Sequence, residues 1–264
     1  MRYGFCTGFA TTPLFAIDNR LEAAVSSWGF DYIEYPLMSV AALSEKDFQL
    51  LRMRIYDHCL GCDSMCNLFP SSVPVVGKQV SEIQIRRYLD TAFSRASELG
   101  VKKLIFGSAG ARRRGSLTVE EADRQFFFCL RILDEYCSRY QMTVCLEAIR
   151  RGEADYINTL AEAAALVHRI REEGASHIGL MADLYHMNEN GESLDDLRSG
   201  IPILQHIHLC EANRALPHGR FSDYLQEAIR ILRDAHYDLT ISYESVMPEG
   251  AGEGRAACTL LKKN

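Results

Sequence analysis

Residues 102–109 (KKLIFGSA) and 143–149 (TVCLEAI) are two apolar runs separated by one long amphipathic segment over 118–140. Neither run alternates apolar with polar residues, so both faces must be covered, as in parallel strands packed between crossover helices. The segment between them opens on Thr118 with Glu121 three residues later, the pattern in which a hydroxyl and a carboxylate cap each other's backbone N–H groups. The unit is therefore strand, helix, strand, which sets the fold class as α/β.

The same alternation extends in both directions. Upstream, residues 2–8 (RYGFCTG), 31–37 (DYIEYPL) and 62–69 (CDSMCNLF) read as strands, with helices over 19–28, 44–58 and 82–99. Downstream, 177–184 (HIGLMADL), 204–210 (LQHIHLC) and 239–245 (LTISYES) read as strands, with helices over 158–173, 194–199 and 222–235 and a short terminal helix. Gly29, Gly100 and Gly174 stand where helices stop. Eight units in 264 residues, about 33 residues each, match the (β/α)8 barrel, which typically needs roughly 250 residues. A doubly wound sheet would use similar strands, but the repeat count favours closure. No linker or composition shift divides the chain, so the expectation is a single (β/α)8 TIM barrel over 1–264. The longest connection, 69–81 (FPSSVPVVGKQVS), is expected to act as a lid over the barrel mouth.

Composition narrows the function classes. With 47% hydrophobic residues and a net charge of −6, the chain can bury a large core and has no bulk attraction for phosphate backbones or anionic lipid. Nucleic-acid and membrane partners are set aside on that ground. The nine cysteines are odd in number and sit mostly in apolar segments, which reads as reduced core thiols in a cytoplasm. The start (MRYGFCTGF) lacks a secretory pattern, and no stretch of about 20 apolar residues follows that could span a bilayer.

Barrel enzymes place their chemistry at the C-terminal ends of the strands, where the loops converge. Glu147 ends strand five, Asp183 strand six, His208 strand seven and Glu244 strand eight. Any one of these alone is ordinarily a helix cap or a solvated loop residue. Four in succession at one mouth would crowd like charges that need a cation. Three carboxylates and an imidazole suit Mn²⁺, Co²⁺ or Mg²⁺, with Zn²⁺ as a further possibility, and leave positions open for substrate oxygens. In HIHLCEANR (206–214), period-two alternation sends His206 and His208 to the same side, with His206 deeper as a hydrogen-bonded core histidine and His208 as the ligand. The ends of strands two and three offer Glu34, Tyr35 and Asn67, and Cys66 with Asn67 is placed to line the pocket.

The segments LEA (Glu147), ADLYHMN (Asp183 and His186), HIHLCEANR (His208 to Arg214) and YES (Glu244) resemble, in order and spacing, a known group. It is the xylose-isomerase-like barrels of the sugar phosphate isomerase/epimerase superfamily, and within them the D-tagatose/D-psicose (allulose) 3-epimerase branch. The resemblance implies that Glu147, Asp183, His208 and Glu244 bind the metal and that Glu147 and Glu244 also transfer protons. It implies that Glu153, His186 and Arg214 touch substrate oxygens, that the substrate is a small sugar, and that the chain forms a homo-oligomer. Epimerisation beside a ketone removes a proton from carbon, so the enediolate oxygens need stabilising charge and each face of the sugar needs a carboxylate.

The chain departs from that branch after strand five, in AIRRGEADYINT (148–159), and after strand four, where FGSAGARRRGS (106–116) stands in place of aromatic residues. Arg112, with Arg113 and Arg114, is a candidate for a phosphate or carboxylate on the substrate, the alternative being a solvated loop or subunit contact. An aldose–ketose isomerase or a keto-sugar or keto-inositol dehydratase could use the same parts. A sugar-binding barrel or accessory subunit without turnover is the non-enzyme alternative, opposed by the intact glutamate pair. Cys59, Cys62 and Cys66 do not make a metal cluster, because Cys62 and Cys66 on one strand would stand about 13 Å apart. Endonuclease IV-type nucleases need many more histidines at the mouth, and neither a nucleophile elbow nor a glycine-rich dinucleotide fingerprint is present.

Overall fold

In the computed structural model, which describes residues 1–8, 20–248 and 250–264, eight parallel strands pair in sequence order and close on themselves. They are β1 (Arg2–Cys6), β2 (Tyr32–Pro36), β3 (Ser64–Cys66), β4 (Lys103–Phe106), β5 (Thr143–Glu147), β6 (Ile178–Asp183), β7 (Leu204–Leu209) and β8 (Thr240–Glu244). The expected helices appear as α1 (Arg20–Trp28), α3 (Glu45–Asp57), α4 (Glu82–Glu98), α5 (Val119–Tyr140), α6 (Leu160–Glu172), α8 (Leu194–Gly200), α9 (Asp223–Asp234) and α10 (Ala251–Lys263). Asn19, expected to start the first helix, lies outside the described residues. The capping box at Thr118 and Glu121 is formed, and Gly100 (φ 80°) and Gly174 (φ 102°) take the left-handed conformation that ends a helix.

Two helices were not expected, α2 (Leu37–Ala41) and α7 (Leu184–Asn190). The run DYIEYPL was read as strand through Leu37, but the chain turns helical there, and α7 begins directly on the last residue of β6. Both are short, five and seven residues, too few to show a helical period, and each follows directly on an apolar strand.

The loop over 69–81 is not a free lid. The Phe69 N–H donates to Ser108 Oγ (2.9 Å), the Val75 N–H to the Ala111 carbonyl (2.8 Å), and Gly77 exchanges two hydrogen bonds with Gln125 of α5. Val75 and Val76 are buried, which explains the rigid seating. The buried core is continuous between barrel and helices. No cysteine among the described residues is in a disulfide, and only Cys59 of the nine is exposed. No described helix is long and apolar enough to cross a membrane.

The register of β6 against β7 slips between Leu180 and Met181, so that Met181 pairs with His206 and Asp183 with His208. An unbroken register would have set Asp183 against Ile207. The slip therefore brings both histidines level with the inward-facing residues of β6.

Candidate active site

Glu147, Asp183, His208 and Glu244 meet at the C-terminal mouth of the barrel, each offering one donor atom within 4.8 Å of the others. All four are buried. Each is the last or penultimate residue of its strand, so the position follows from the parallel pairing of β5 through β8. Asp183 also does what a strand-end Asp ordinarily does. Its Oδ1 caps α7, accepting from the N–H groups of Tyr185 (2.8 Å) and His186 (3.3 Å), which leaves Oδ2 for the mouth.

Arg214 reaches the same point. Its Nη1 donates to Glu244 Oε2 (2.6 Å) and Asp183 Oδ2 (3.0 Å), and Nη2 lies 3.2 Å from His186 Nε2. The guanidinium lies 4.0 Å from the centroid of the Tyr185 ring, whose surroundings also include Arg150 at 5.4 Å. The turn that delivers it is strained: Asn213 (φ 57°) and Arg214 (φ 58°) are consecutive left-handed residues, costing about 1 kcal/mol or more each. Such a conformation persists where packing and hydrogen bonds over-determine it, here the Glu211 N–H to Ala215 carbonyl bond (2.9 Å) and the ion pairs of Arg214.

Below this layer lies a residue whose role the sequence did not disclose. Glu34 is fully buried and faces His208 Nε2 at 2.9 Å and His206 Nε2 at 3.2 Å, and it accepts from Ser64 Oγ (2.9 Å) and Ser242 Oγ (2.6 Å). Burial alone would raise its pKa, but His208 and His206 outweigh burial and hold it well below the usual carboxylate range. His208 Nδ1 faces the carboxylates and has no hydrogen-bond partner among the described residues; Glu34 and Glu244 outweigh burial and hold a proton on this imidazole, which an ion at Nδ1 would displace, leaving Nε2–H on Glu34. An imidazole so oriented, ringed by three carboxylates, fits a divalent ion. His206 is the core histidine expected, bonded to Thr240 Oγ1 (2.7 Å) and pushed down to about 4 by burial. Tyr35, by contrast, points away from the mouth and donates to Glu22 Oε1 (2.6 Å).

Glu34→Gln is expected to weaken metal binding by roughly 10–100-fold, because an amide can donate to Nε2 and so place the histidine's proton on Nδ1, where the ion would sit. Competition against a chelating dye measures it, and an unchanged affinity would remove Glu34 from that role.

Gly107, just after β4, is the second residue that went unnoticed. A Cβ there would stand 2.0 Å from Glu147 Oε2 and 3.0 Å from its Cδ, so the carboxylate occupies the space a side chain would need. Gly107→Ala is expected to displace Glu147, lowering activity by about 10²-fold while secondary structure is kept. Parental activity in that variant would show that Glu147 does not work in this rotamer.

The buried carboxylates hold unequal affinities for protons. Burial, then Glu244 and Asp183 nearby, push Glu147 up to about 8. Asp183 is held low, since His186, Arg214 and His208 outweigh its burial. An ion entering below about pH 8 must displace the proton of Glu147, and one bound at His208 must displace a proton that Glu34 and Glu244 hold there against burial, so metal affinity should rise with pH through that value. Titrations on either side of that pH test the sign, and a pH-independent affinity would exclude Glu147 as a ligand.

The remaining expected substrate contacts divide. His186 joins the cluster, its Nε2 lying 3.5 Å from Asp183 Oδ2 and 3.9 Å from Glu147 Oε1. Cys66 and Asn67 sit at the top of β3, with Cys66 Sγ 3.5 Å from Cys6 Sγ. Glu153 does not reach the cluster: it is exposed at the rim and bonded to Arg150 Nε (2.7 Å). The arginine triplet does not form one anion cradle. Arg112 is buried and donates Nη1 to the Glu147 carbonyl (2.8 Å), Arg114 ties Asp155 and Leu117, and Arg113 is exposed. The Nε and Nη2 of Arg112 are buried and have no hydrogen-bond partner among the described residues.

A closed barrel with three carboxylates and an imidazole converging at the ends of β5 to β8 defines a (β/α)8 protein whose mouth carries a buried donor cluster that could hold a metal ion. The chain belongs to the xylose isomerase-like TIM barrel family, whose model matches residues 22–263. A D-psicose 3-epimerase from Enterocloster bolteae is 26% identical over 261 residues, covering 96% of this chain and 85% of the relative. The apo structure of 3-keto-D-glucoside 4-epimerase from E. coli superposes with a TM-score of 0.80 at 19% identity, covering 100% of both chains. D-allulose 3-epimerase from Methylomonas sp., solved with D-allulose, gives 0.83 at 17% identity, over 100% of this chain and 96% of that one. The relatives are epimerases, in line with an enzyme of the isomerase class.

Proposed function

We propose that this protein is a divalent-metal-dependent sugar epimerase that exchanges a proton on a carbon next to a ketone, with Glu147 and Glu244 as the acid–base pair. The observation that carries this reading is the convergence of those two buried glutamates with Asp183, His208 and Arg214 on one space. Glu147, Asp183, His208 and Glu244 would hold the ion, and the mainly oxygen donor set favours Mn²⁺, Co²⁺ or Mg²⁺ over Zn²⁺. The bound ion supplies positive charge that stabilises enediolate oxygens as they form. Arg214 and His186 bind the substrate's oxygens and orient it. One glutamate takes the carbon-bound proton and the other delivers one from the opposite face. Cys66 and Asn67 line the β3 side of the pocket, while Arg112 braces Glu147 through its carbonyl.

Incubation of the Mn²⁺-loaded protein with ketopentoses, ketohexoses and 3-keto-glucosides tests this directly. Mass-neutral conversion to an epimeric ketose is expected. Loss of water would make it a dehydratase, a new aldose an aldose–ketose isomerase, and sugar binding without conversion a non-enzymatic barrel.

A second reading, a keto-glycoside substrate, draws on a cleft of about 670 Å³ lined by Leu216, Pro217, His218, Met247 and Pro248. It is flanked by Ala215, which follows Arg214, and by Val246, two residues beyond Glu244. That volume has room for a second sugar ring beside the reacting one. Preference for the 3-keto-glucoside over the free ketoses in the same panel would select it. A cytoplasmic location, on the reduced buried thiols, and a homo-oligomer, which sedimentation at micromolar concentration reads, complete the proposal.

A further inference from the structure

We propose that Cys6, Cys66 and Glu244 form a second metal site, selective for a soft divalent ion such as Zn²⁺ or Cd²⁺, that shares the Glu244 carboxylate with the first. Cys6 ends β1 and Cys66 ends β3, and both point inward toward the mouth beside a small apolar cluster of Ile105, Cys145 and Met181. The two sulfurs are 3.5 Å apart, and Cys6 Sγ is 3.8 Å from Glu244 Oε1. Donors on one tetrahedral zinc, with Zn–S about 2.3 Å and Zn–O about 2.1 Å, stand about 3.8 Å apart for two sulfurs and about 3.6 Å for sulfur and oxygen. Two of the three separations thus match the corners of one coordination tetrahedron, and the third, between Cys66 Sγ and Glu244, lies within 4.8 Å.

The space an ion would enter is marked by Gly8. A Cβ built there would have as its nearest neighbours Glu244 Oε1 at 3.5 Å, Cys6 Sγ at 3.6 Å and Cys66 Sγ at 3.7 Å. The glycine therefore leaves a recess facing all three donors and almost equidistant from them. Asn67 Nδ2, 3.8 Å from Cys66 Sγ, can support that sulfur as a thiolate.

Glu244 faces two ways. Its Oε1 is the oxygen near the thiols, while Oε2 is the one near His208 Nδ1 (3.6 Å) and Arg214 Nη1 (2.6 Å). The carboxylate can bridge two ions, one in a hard oxygen-rich set and one in a soft sulfur-rich set. Thiolates select Zn²⁺ and Cd²⁺ strongly over Mn²⁺ and Mg²⁺, so the second site discriminates between ions that the first would accept alike. Filling it would tether Glu244, giving inhibition by Zn²⁺ beyond the first equivalent; that consequence rests on the acid–base role proposed for Glu244, whereas the site itself does not.

The experiment is a Cd²⁺ titration of the fully reduced, Mn²⁺-loaded protein carrying Cys59→Ser, which removes the one exposed thiol. Dialysis followed by elemental analysis counts ions, and the ultraviolet thiolate-to-cadmium charge-transfer band reports sulfur ligation. Two ions per chain are expected in total, with a band that falls at least by half in Cys6→Ser and in Cys66→Ser as the count drops to one. One ion per chain in the parent, or a band undiminished in both variants, overturns the site. Should either serine variant fail to fold, ¹¹³Cd NMR of the parent decides instead: a two-sulfur shift supports the site and an oxygen/nitrogen shift refutes it. None of these readouts depends on turnover, so failure of the site and failure of the epimerase reading are told apart.

Discussion

Glu147→Gln and Glu244→Gln are each expected to lower kcat by about 10³-fold or more at saturating Mn²⁺, because a neutral amide cannot accept a proton from carbon. The glutamine is nearly isosteric, so packing around these buried positions is kept and the loss reports on proton transfer. The two are not interchangeable. Glu147, pushed up to about 8 by burial and by Glu244 and Asp183, is the glutamate disposed to hold a proton when no ion is bound. Glu244 is paired with Arg214. Both are also expected ligands, so metal occupancy must be measured for each variant and matched before rates are compared. Solvent deuterium should enter the product at one carbon beside the carbonyl, since the proton returned comes from a group that exchanges with water. Near-parental conversion by the double glutamine variant would sink the two-base mechanism. Product formed in D2O without carbon-bound deuterium would point instead to direct proton return or hydride shift, the chemistry of an aldose–ketose isomerase.

Arg214→Ala is expected to reduce kcat/KM by about 10³-fold while ion binding survives, because the arginine touches two of the proposed ligand carboxylates and is not itself a proposed ligand. In the ion-free protein Arg214 is ion-paired with both Asp183 and Glu244. Its removal leaves buried carboxylates uncompensated, which should lower the thermal stability of the ion-free form by several degrees and enlarge the stabilisation gained on adding Mn²⁺. Arg214→Lys should recover part of that stability and little activity. A lysine supplies the charge, but it cannot lie flat on Tyr185 while reaching Asp183, Glu244 and His186 together. Parental activity in Arg214→Ala, or loss of the ion with it, would contradict the assignment to substrate oxygens.

The site divides into a part legible in sequence and a part that is not. Residues at strand ends were legible because parallel pairing carries the C-terminal ends of consecutive strands to one side of a barrel, whatever the details of packing. Glu34 was visible as a strand residue, but its importance comes from neighbours on β3, β7 and β8, which lie far from it in the chain. Gly107 looked like an ordinary loop glycine, and only the position of Glu147 on the adjacent strand shows what it makes room for. Where Arg112 and Glu153 lie was not legible for a different reason. Both follow strand ends and have suitable chemistry, but a side chain in a loop goes where local partners hold it, and these partners are the Glu147 carbonyl and Arg150.

By itself the amino-acid sequence determined the eight-unit α/β rhythm, the helix starts at Thr118 and Ser44, the stops at Gly100 and Gly174, and the four polar residues at the ends of β5 to β8. These depend on hydrogen bonds and side-chain spacing within a few residues, which a linear reading contains. Only the tertiary structure decided the slip that sets Asp183 beside His208, the left-handed turn that swings Arg214 over the mouth, the pairing of Cys6 with Cys66, and the burial of Glu34 beneath His208. The cysteine pair and the Glu34–His208 contact join different strands of the closed barrel, and the slip and the turn are set by how neighbouring strands and loops pack, none of which the pattern along one strand records.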